Sequence, residues 1–169
     1  MKKGLAITTV VLVILVIFTT FHMIQQNSFN VYNVTTSTNN EELILEDLMI
    51  ISKNNQISID SYTLSKNSDI KTAVTDIEIE ASINNQAVLM VSLTDLDDDY
   101  SKVDSGEQEI IKNVKLSTDS VLNLKFKYTV DGVKTEFYEQ LKLSDYQLSS
   151  REANKILQGH PKSDKSLWE

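Results

Sequence analysis

Apolar and polar side chains alternate along most of the chain between residues 56 and 143. In residues 75–83, TDIEIEASI, isoleucine and alanine alternate with acidic residues and serine, and residues 56–64, QISIDSYTL, begin in the same way. A period of two places successive side chains on opposite faces of a strand. The pattern therefore predicts strands with one buried face and one face in solvent.

Short turn sequences separate several of these strands. Asn84–Asn85 precedes the apolar run QAVLMVSLTD, and Asp131–Gly132 lies between two alternating segments. Asn and Asp-Gly pairs tolerate the positive φ angles of a tight hairpin. Residues 109–117, EIIKNVKLS, alternate again, with Ile110, Val114 and Leu116 near one face, and predict a further strand.

About seven strands at hairpin spacing, with no alternation of strands and helices, indicate an antiparallel β-sandwich. It is Ig-like only in the loose sense, because the Cys…Trp…Cys pattern of true Ig domains is absent. The expected fold class is mostly β: a transmembrane helix, an extracytoplasmic sandwich and a short C-terminal helix.

Two segments before the sandwich leave alternatives open. Residues 41–53, EELILEDLMIISK, fit either a short amphipathic helix or a strand. Residues 27–40 are rich in Asn, Thr and Ser and predict either a linker or a first, irregular strand.

The C-terminal helix is predicted from its boundaries. Ser149 and Glu152 have the spacing of a capping box, and Gly159 and Pro161 favour a helix end. The sequence thus divides into a cytoplasmic stub, an anchor, a linker, a sandwich domain and a tail, at residues 1–4, 5–25, 26–42, 43–159 and 160–169.

The anchor is predicted from nineteen uncharged residues, Leu5 to Met23, which as a helix would span about 28 Å, one hydrocarbon core. Lys2 and Lys3 precede this segment and no Lys or Arg follows until Lys53, so the positive-inside rule places the N-terminus in the cytoplasm and the remainder outside. The competing interpretation is a cleaved signal peptide, but FTTFHMIQQ has bulky residues where small ones are needed. Lipid is therefore an expected partner of residues 5–25.

Composition excludes several classes. The chain has no Cys, which removes disulfides, thiol catalysis and lipoprotein anchoring, and it favours a Gram-positive cell envelope. With 16 basic and 24 acidic side chains, the net charge of −8 argues against nucleic acid as a partner. There is no phosphate loop, nucleophile elbow or His-rich motif, and the two histidines, His22 and His160, are isolated. We expect no enzymatic activity, no cofactor and no small-molecule substrate.

Acidic side chains concentrate in residues 94–108, TDLDDDYSKVDSGEQ. The spacing fails the EF-hand pattern, because counting from Asp95 puts Tyr100 where the invariant Gly belongs and Gly106 where the bidentate Glu belongs. Three interpretations stay open: a solvated loop between residues 87–93 and 109–116, a calcium site of another type, or a docking patch for a basic partner. The calcium candidates are Asp95, Asp97, Asp99, Asp104 and Glu107, and the docking candidates are Asp97, Asp98 and Asp99.

Leu167 and Trp168 stand in a charged C-terminal tail. They are candidates for partner binding, or alternatively they dock on the protein's own domain. The resulting hypothesis is a membrane-tethered, non-enzymatic binding or assembly module whose partner is a membrane or cell-surface protein. The alternatives are a prophage-type superinfection exclusion or immunity protein and a minor pilin-like subunit of a secretion or competence apparatus, since Gly4 before an apolar helix resembles a prepilin cleavage site.

Overall fold

The computed structural model describes residues 10–20, 29–71, 73–96, 100–103, 110–160 and 164–168. Within these residues the protein is mostly β, with two antiparallel sheets and short helices, consistent with a β-sandwich. The nine strands are β1 Asn30–Ser37, β2 Leu43–Lys53, β3 Gln56–Lys66, β4 Val74–Ile83, β5 Gln86–Leu96, β6 Tyr100–Val103, β7 Ile111–Lys112, β8 Val121–Val130 and β9 Val133–Lys142.

Helical elements are few. Residues 10–20 form helix α1, and Ser150–Leu157 forms α2. Two 3-10 turns, Leu143–Tyr146 and Lys165–Trp168, lie on either side of α2 in the chain. None of the helices in these described ranges has the length and apolar content needed to cross a lipid bilayer.

The two sheets enclose one main core. The five-stranded sheet has the order β1-β2-β3-β6, with β7 also paired to β3, and the four-stranded sheet has the order β5-β4-β8-β9. Inward-facing side chains from both sheets meet between them, including Leu45, Ile50, Ile79 and Phe126, all buried. The apolar half of each alternating pattern therefore becomes the interior, as the period of two predicts.

Hairpin turns form where the sequence predicts them. Asn84 and Asn85 have φ values of 52° and 62°, and Asp131 and Gly132 have 50° and 77°. Two consecutive positive φ angles are the backbone of a type I′ turn, whose twist matches that of the strands it joins. These two turns connect β4 to β5 and β8 to β9.

Both ambiguous N-terminal segments are strands. Residues 41–53 contain β2, and the helix-like spacing of its apolar residues is caused by a β-bulge. At this bulge Asp47 has a φ of 52°, and the pairing of β2 with β3 shifts between Glu46 and Met49. The bulge inserts residues between the inward-facing Leu45 and Leu48. Residues 27–40 contain β1, which pairs with β2 inside the segment predicted as a linker.

Two strand and loop predictions need correction. The segment 109–117 is predicted as one strand, but in its described part, residues 110–117, only Ile111–Lys112 is strand. Val114 donates its backbone N–H to the turn residue Asn55 (2.9 Å) instead of to a sheet ladder. The acidic segment is not simply a connection: Asp95 belongs to β5, and Tyr100–Val103 forms β6 along β3. The helix prediction is confirmed, with both hydrogen bonds of the capping box between Ser149 and Glu152 present.

Candidate functional site

The outward-facing side of the four-stranded sheet forms a ladder of opposite charges. Register pairs Glu78 of β4 with Lys127 of β8, and Glu80 with Lys125 on the next outward-facing rung. These are the polar halves of two alternating sequences, so the period of two that buries isoleucine also places these charges on one surface. Opposite charges on directly opposed strand positions attract each other across the ladder.

The first rung is a direct ion pair. Lys127 Nζ donates to Glu78 Oε2 at 2.8 Å. This hydrogen bond and the attraction of the ammonium group lower the pKa of Glu78 and raise the pKa of Lys127. Because both side chains lie in solvent, the pair fixes the charge pattern of the surface and contributes little to stability.

The second rung combines charge with exposed apolar area. Lys125 Nζ stands 5.1 Å above the ring centroid of Tyr138, within the range of a cation–π interaction. Interaction with the Tyr138 side chain raises the pKa of Lys125. On the other side of Glu80 the rung ends with Met90, so the row across the sheet is Met90, Glu80, Lys125 and Tyr138.

Met90 and Tyr138 flank a shallow depression on this face. Their exposed fractions are 74% and 61%, and the depression between them has a volume of about 430 Å³. Asn123 and Gln140 line it beside the second rung, where Gln140 Nε2 donates to Asn123 Oδ1 at 2.7 Å. Tyr and Met, the exposed residues around this depression, are residue types enriched in protein interfaces.

The outward-facing side of the five-stranded sheet is covered. Val31 and Ile51 project from that sheet into a second apolar cluster with Ala153 and Leu157 of α2 and Trp168 of the last 3-10 turn. Since Val31 lies next to the core residue Tyr32 in β1, this cluster is on the opposite side of the sheet from the main core. The two sheets thus differ: one outer face is covered by the protein's own C-terminal segment, and the other exposes Met90 and Tyr138.

Polar groups lie at the margin of the covered face. His160 Nε2 is 3.0 Å from Oδ1 of the buried Asp60, and Lys53 Nζ stands 5.5 Å from the ring centroid of Phe29. The first contact joins β3 to the residues that follow α2, and the second joins the end of β2 to the residue just before β1. They hold charged groups at this margin in place, and nothing in the arrangement resembles a nucleophile with its base.

The residues predicted from sequence are separated. Trp168 is 2% exposed and belongs to the covering cluster, whereas its neighbour Leu167 is 48% exposed. Asp95 is exposed near the end of β5. The remaining acidic candidates, Asp97, Asp98, Asp99, Asp104 and Glu107, and the topology residues Lys2 and Lys3, lie outside the described residues. In the described part of the chain, no group of three or more His, Cys, Asp or Glu side chains is arranged to hold a metal ion.

Sequence reasoning missed the exposed face of the four-stranded sheet. The signal was available at Met90, because the run AVLMVSL places an apolar side chain between Leu89 and Val91, which are both buried. A large apolar side chain at an outward-facing position departs from the alternation, and methionine is a residue type enriched in protein interfaces. Tyr138 carried the same signal in β9.

The comparisons with known proteins assign the chain to no family. No protein-family model matches the chain, and no curated protein matches it. A crystal structure of the Parabacteroides merdae β-glucuronidase with glycerol in its active site superposes with a TM-score of 0.34 at 11% identity, covering 68% of this chain and 13% of that one. The chain spans about an eighth of that protein's length, and a similarity of this extent carries no argument about fold or activity.

Proposed function

We propose that the protein is a membrane-anchored, non-enzymatic binding or assembly module that contacts an envelope protein through the outer face of its four-stranded sheet. The carrying observation is the difference between the two outer faces. One is buried under α2 and Trp168, and the other leaves Met90 and Tyr138 exposed around a depression beside ordered charges.

The chemistry of this face favours a protein partner over a small molecule. The depression is open, and its lining includes one ammonium group, two carboxylates, a thioether and a phenol ring. An apolar side chain of a partner fits between Met90 and Tyr138, and charged groups around it fit the alternating Glu and Lys rungs. Aromatic residues near the centre of an interface supply most of the affinity, and peripheral charges mainly control association rate and salt dependence.

Anchoring is the second part of the proposal. The support is the uncharged sequence from Leu5 to Met23 after two lysines, which places residues 5–25 in the bilayer and an Ig-like sandwich outside the cytoplasm. In α1, Thr19 Oγ1 donates to the carbonyl of Leu15 (2.9 Å) and Thr20 Oγ1 to that of Val16 (2.7 Å). These bonds satisfy the hydroxyl groups inside their own helix, which makes them compatible with lipid.

A short tether follows from the same proposal. If the membrane segment ends at residue 25, four residues precede the start of β1 at Asn30. An extended chain covers at most about 3.6 Å per residue, so the first strand starts within roughly 15 Å of the bilayer. Such a tether suits a partner that is itself in the membrane.

Site-specific photo-crosslinking in cells tests the contact face. A photoreactive phenylalanine analogue at position 138 should give a crosslinked protein adduct, and the same analogue at Asn154, an exposed residue of α2, serves as the matched control. Adducts from position 154 with none from position 138 would contradict the proposed face.

Affinity measurements refine the test once the partner is identified. We expect Met90→Ser and Tyr138→Ser each to weaken binding at least about tenfold, a typical effect for interface residues that carry affinity. Neither substitution should change the melting temperature of the protein, because both side chains already lie in solvent.

A further inference from the structure

A polar pocket replaces the apolar core at one end of the sandwich. Along the inner face of β1 and β2, the opposed pairs are Val34 with Leu48, then Tyr32 with Ile50, then Asn30 with Ser52. The first two pairs belong to the main core, and the period of two predicts an apolar pair at the third position. Asn30 and Ser52 instead bring an amide and a hydroxyl between the sheets.

Other segments complete this pocket with groups of the same kind. Ser117 in the connection to β8, and Ser144 and Gln147 after β9, face the Asn30–Ser52 pair across a pocket of about 270 Å³. Every residue that lines it is uncharged. Gln147 Nε2 donates to Asn30 Oδ1 at 3.1 Å, and the backbones of Tyr32 and Gln147 form an isolated β-bridge, so one wall is held in place.

Two hydroxyl groups, those of Tyr32 and Ser52, belong to the inner wall of the pocket. Tyr32 is 6% exposed and Ser52 is 2% exposed, and both line the pocket. Burial raises the pKa of Tyr32. Hydroxyl groups at the wall of a pocket can both donate a hydrogen bond to a ligand and accept one from it.

We infer that this end pocket binds a small, neutral, polyhydroxylated ligand, namely a sugar residue. Neutral amides and hydroxyls both donate and accept, which matches a sugar hydroxyl, and the pocket has no charged side chain to compensate the charge of an ion. The volume lies slightly below the range of about 300–1,000 Å³ typical of drug-sized ligands, which fits one sugar unit. The Tyr32 side chain and Leu116 add the apolar surface that a sugar ring also presents.

The pocket is independent of the proposed protein-binding face. Its residues belong to the five-stranded sheet and to the segments before β8 and after β9, whereas Met90 and Tyr138 lie on the outer face of the other sheet. The two sites should respond differently to salt. Binding through the charged rungs weakens as ionic strength rises, and binding by neutral groups does not.

Saturation-transfer NMR with the full-length protein in detergent micelles tests the inference. The probes are the methyl glycosides of glucose, galactose, mannose and N-acetylglucosamine at millimolar concentration. We expect saturation transfer to at least one glycoside, unchanged between low salt and 0.5 M sodium chloride, a concentration of about three times physiological ionic strength. Absence of transfer to all four would overturn the inference.

Two conservative variants locate the binding. Tyr32→Phe and Ser52→Ala each remove one hydroxyl and keep the packing, and the double variant should weaken binding at least about tenfold, the equivalent of one lost hydrogen bond to a neutral ligand. Ser65→Ala is the matched control, because Ser65 lies near the other end of β3, opposite Ile44. Equal binding by the double variant and the control would show that the sugar binds elsewhere. An unchanged melting temperature in all four variants confirms that the fold is intact.

Discussion

Trp168 meets Phe29 edge-on, with the ring centroids 5.6 Å apart and the ring planes at 72°. The contact joins the residue just before β1 to the last turn of the described chain. Because aromatic pairs prefer this T-shaped geometry, it adds to the area that both rings bury. The C-terminal tail is thereby part of the domain's own structure at Trp168.

Because Trp168 is buried, removal of its side chain should lower the stability of the protein substantially. Trp168→Ala should lower the free energy of unfolding by about 3–5 kcal/mol, the usual cost of removing a buried aromatic ring. The matched control is Leu167→Ala, which should stay within about 0.5 kcal/mol because that side chain is largely exposed. Urea denaturation of both variants measures the difference. Equal, small effects would mean that Trp168 does not hold the tail on the sheet.

Tyr128 gives the domain a stability limit at alkaline pH. Its hydroxyl donates to Glu42 Oε2 at 2.6 Å, and burial, together with this carboxylate, raises the pKa of Tyr128 to about 12. A group with a raised pKa in the folded state contributes stability that is complete below its unfolded pKa of about 10 and declines as pH rises towards 12.

Titration and denaturation check this alkaline dependence together. The tyrosinate absorbance of the folded protein should show a late titration step that Tyr128→Phe removes, and the variant should lose less stability than the wild type between pH 10 and 12. At neutral pH the variant should be less stable by about 1–2 kcal/mol, because the hydrogen bond to a carboxylate is lost. A wild-type protein whose stability is flat across that alkaline range would contradict the assignment.

Alternation predicted the sandwich well because it measures the same quantity that folding selects, namely which side chains lie inside. It failed where the backbone leaves the regular pleat. At Asp47 the bulge places two apolar side chains, Leu45 and Leu48, on the same face three positions apart, a spacing shared with helices. At Val114 the apolar side chain is buried, but its N–H pairs with a turn, so alternation was present without a strand.

The candidate sites were harder to predict than the fold. A sequence gives the face of each residue but not which sheet face remains uncovered, since that depends on where α2 and the last turn pack. From the sequence Trp168 suits either a partner or the protein's own domain, and its burial against Phe29 shows that it packs on the domain. Likewise, Asn30 and Ser52 occur in polar segments without any distinguishing motif, and their pairing across β1 and β2 is visible only in the register.

The capping box of α2 sets the stability of the cover on the five-stranded sheet. Glu152 N donates to Ser149 Oγ, and Ser149 N donates to Glu152 Oε2 at 3.0 Å. Ser149→Ala should destabilise the protein by about 1 kcal/mol, and Ser149→Asp should restore most of the loss because Asp is an equally good N-cap. Denaturation curves and hydrogen exchange of the Ala153 amide, which bonds to the Ser149 carbonyl, measure the effect.

The same cap predicts a dependence on acid. Hydrogen bonds from the Ser149 side chain and backbone lower the pKa of Glu152. A carboxylate with a lowered folded pKa contributes stability that is present above its unfolded pKa and disappears as pH falls through the folded value. The stability difference between wild type and Ser149→Ala should therefore shrink in acid, and a difference that stays constant down to pH 2 would contradict this coupling.

The proposed anchor predicts both membrane association and orientation. Deleting residues 5–25 should move the protein from the alkali-resistant membrane pellet to the supernatant, because the deletion removes the predominantly apolar segment that is long enough to span a bilayer. Replacing Lys2 and Lys3 with Glu should keep the protein in the pellet but reduce the share of chains whose C-terminus is outside, since flanking Lys sets the direction of insertion. Protease accessibility of a C-terminal tag on intact cells reports that share. Pellet retention after the deletion would contradict the anchor, and an unchanged orientation after charge reversal would contradict the assigned role of the two lysines.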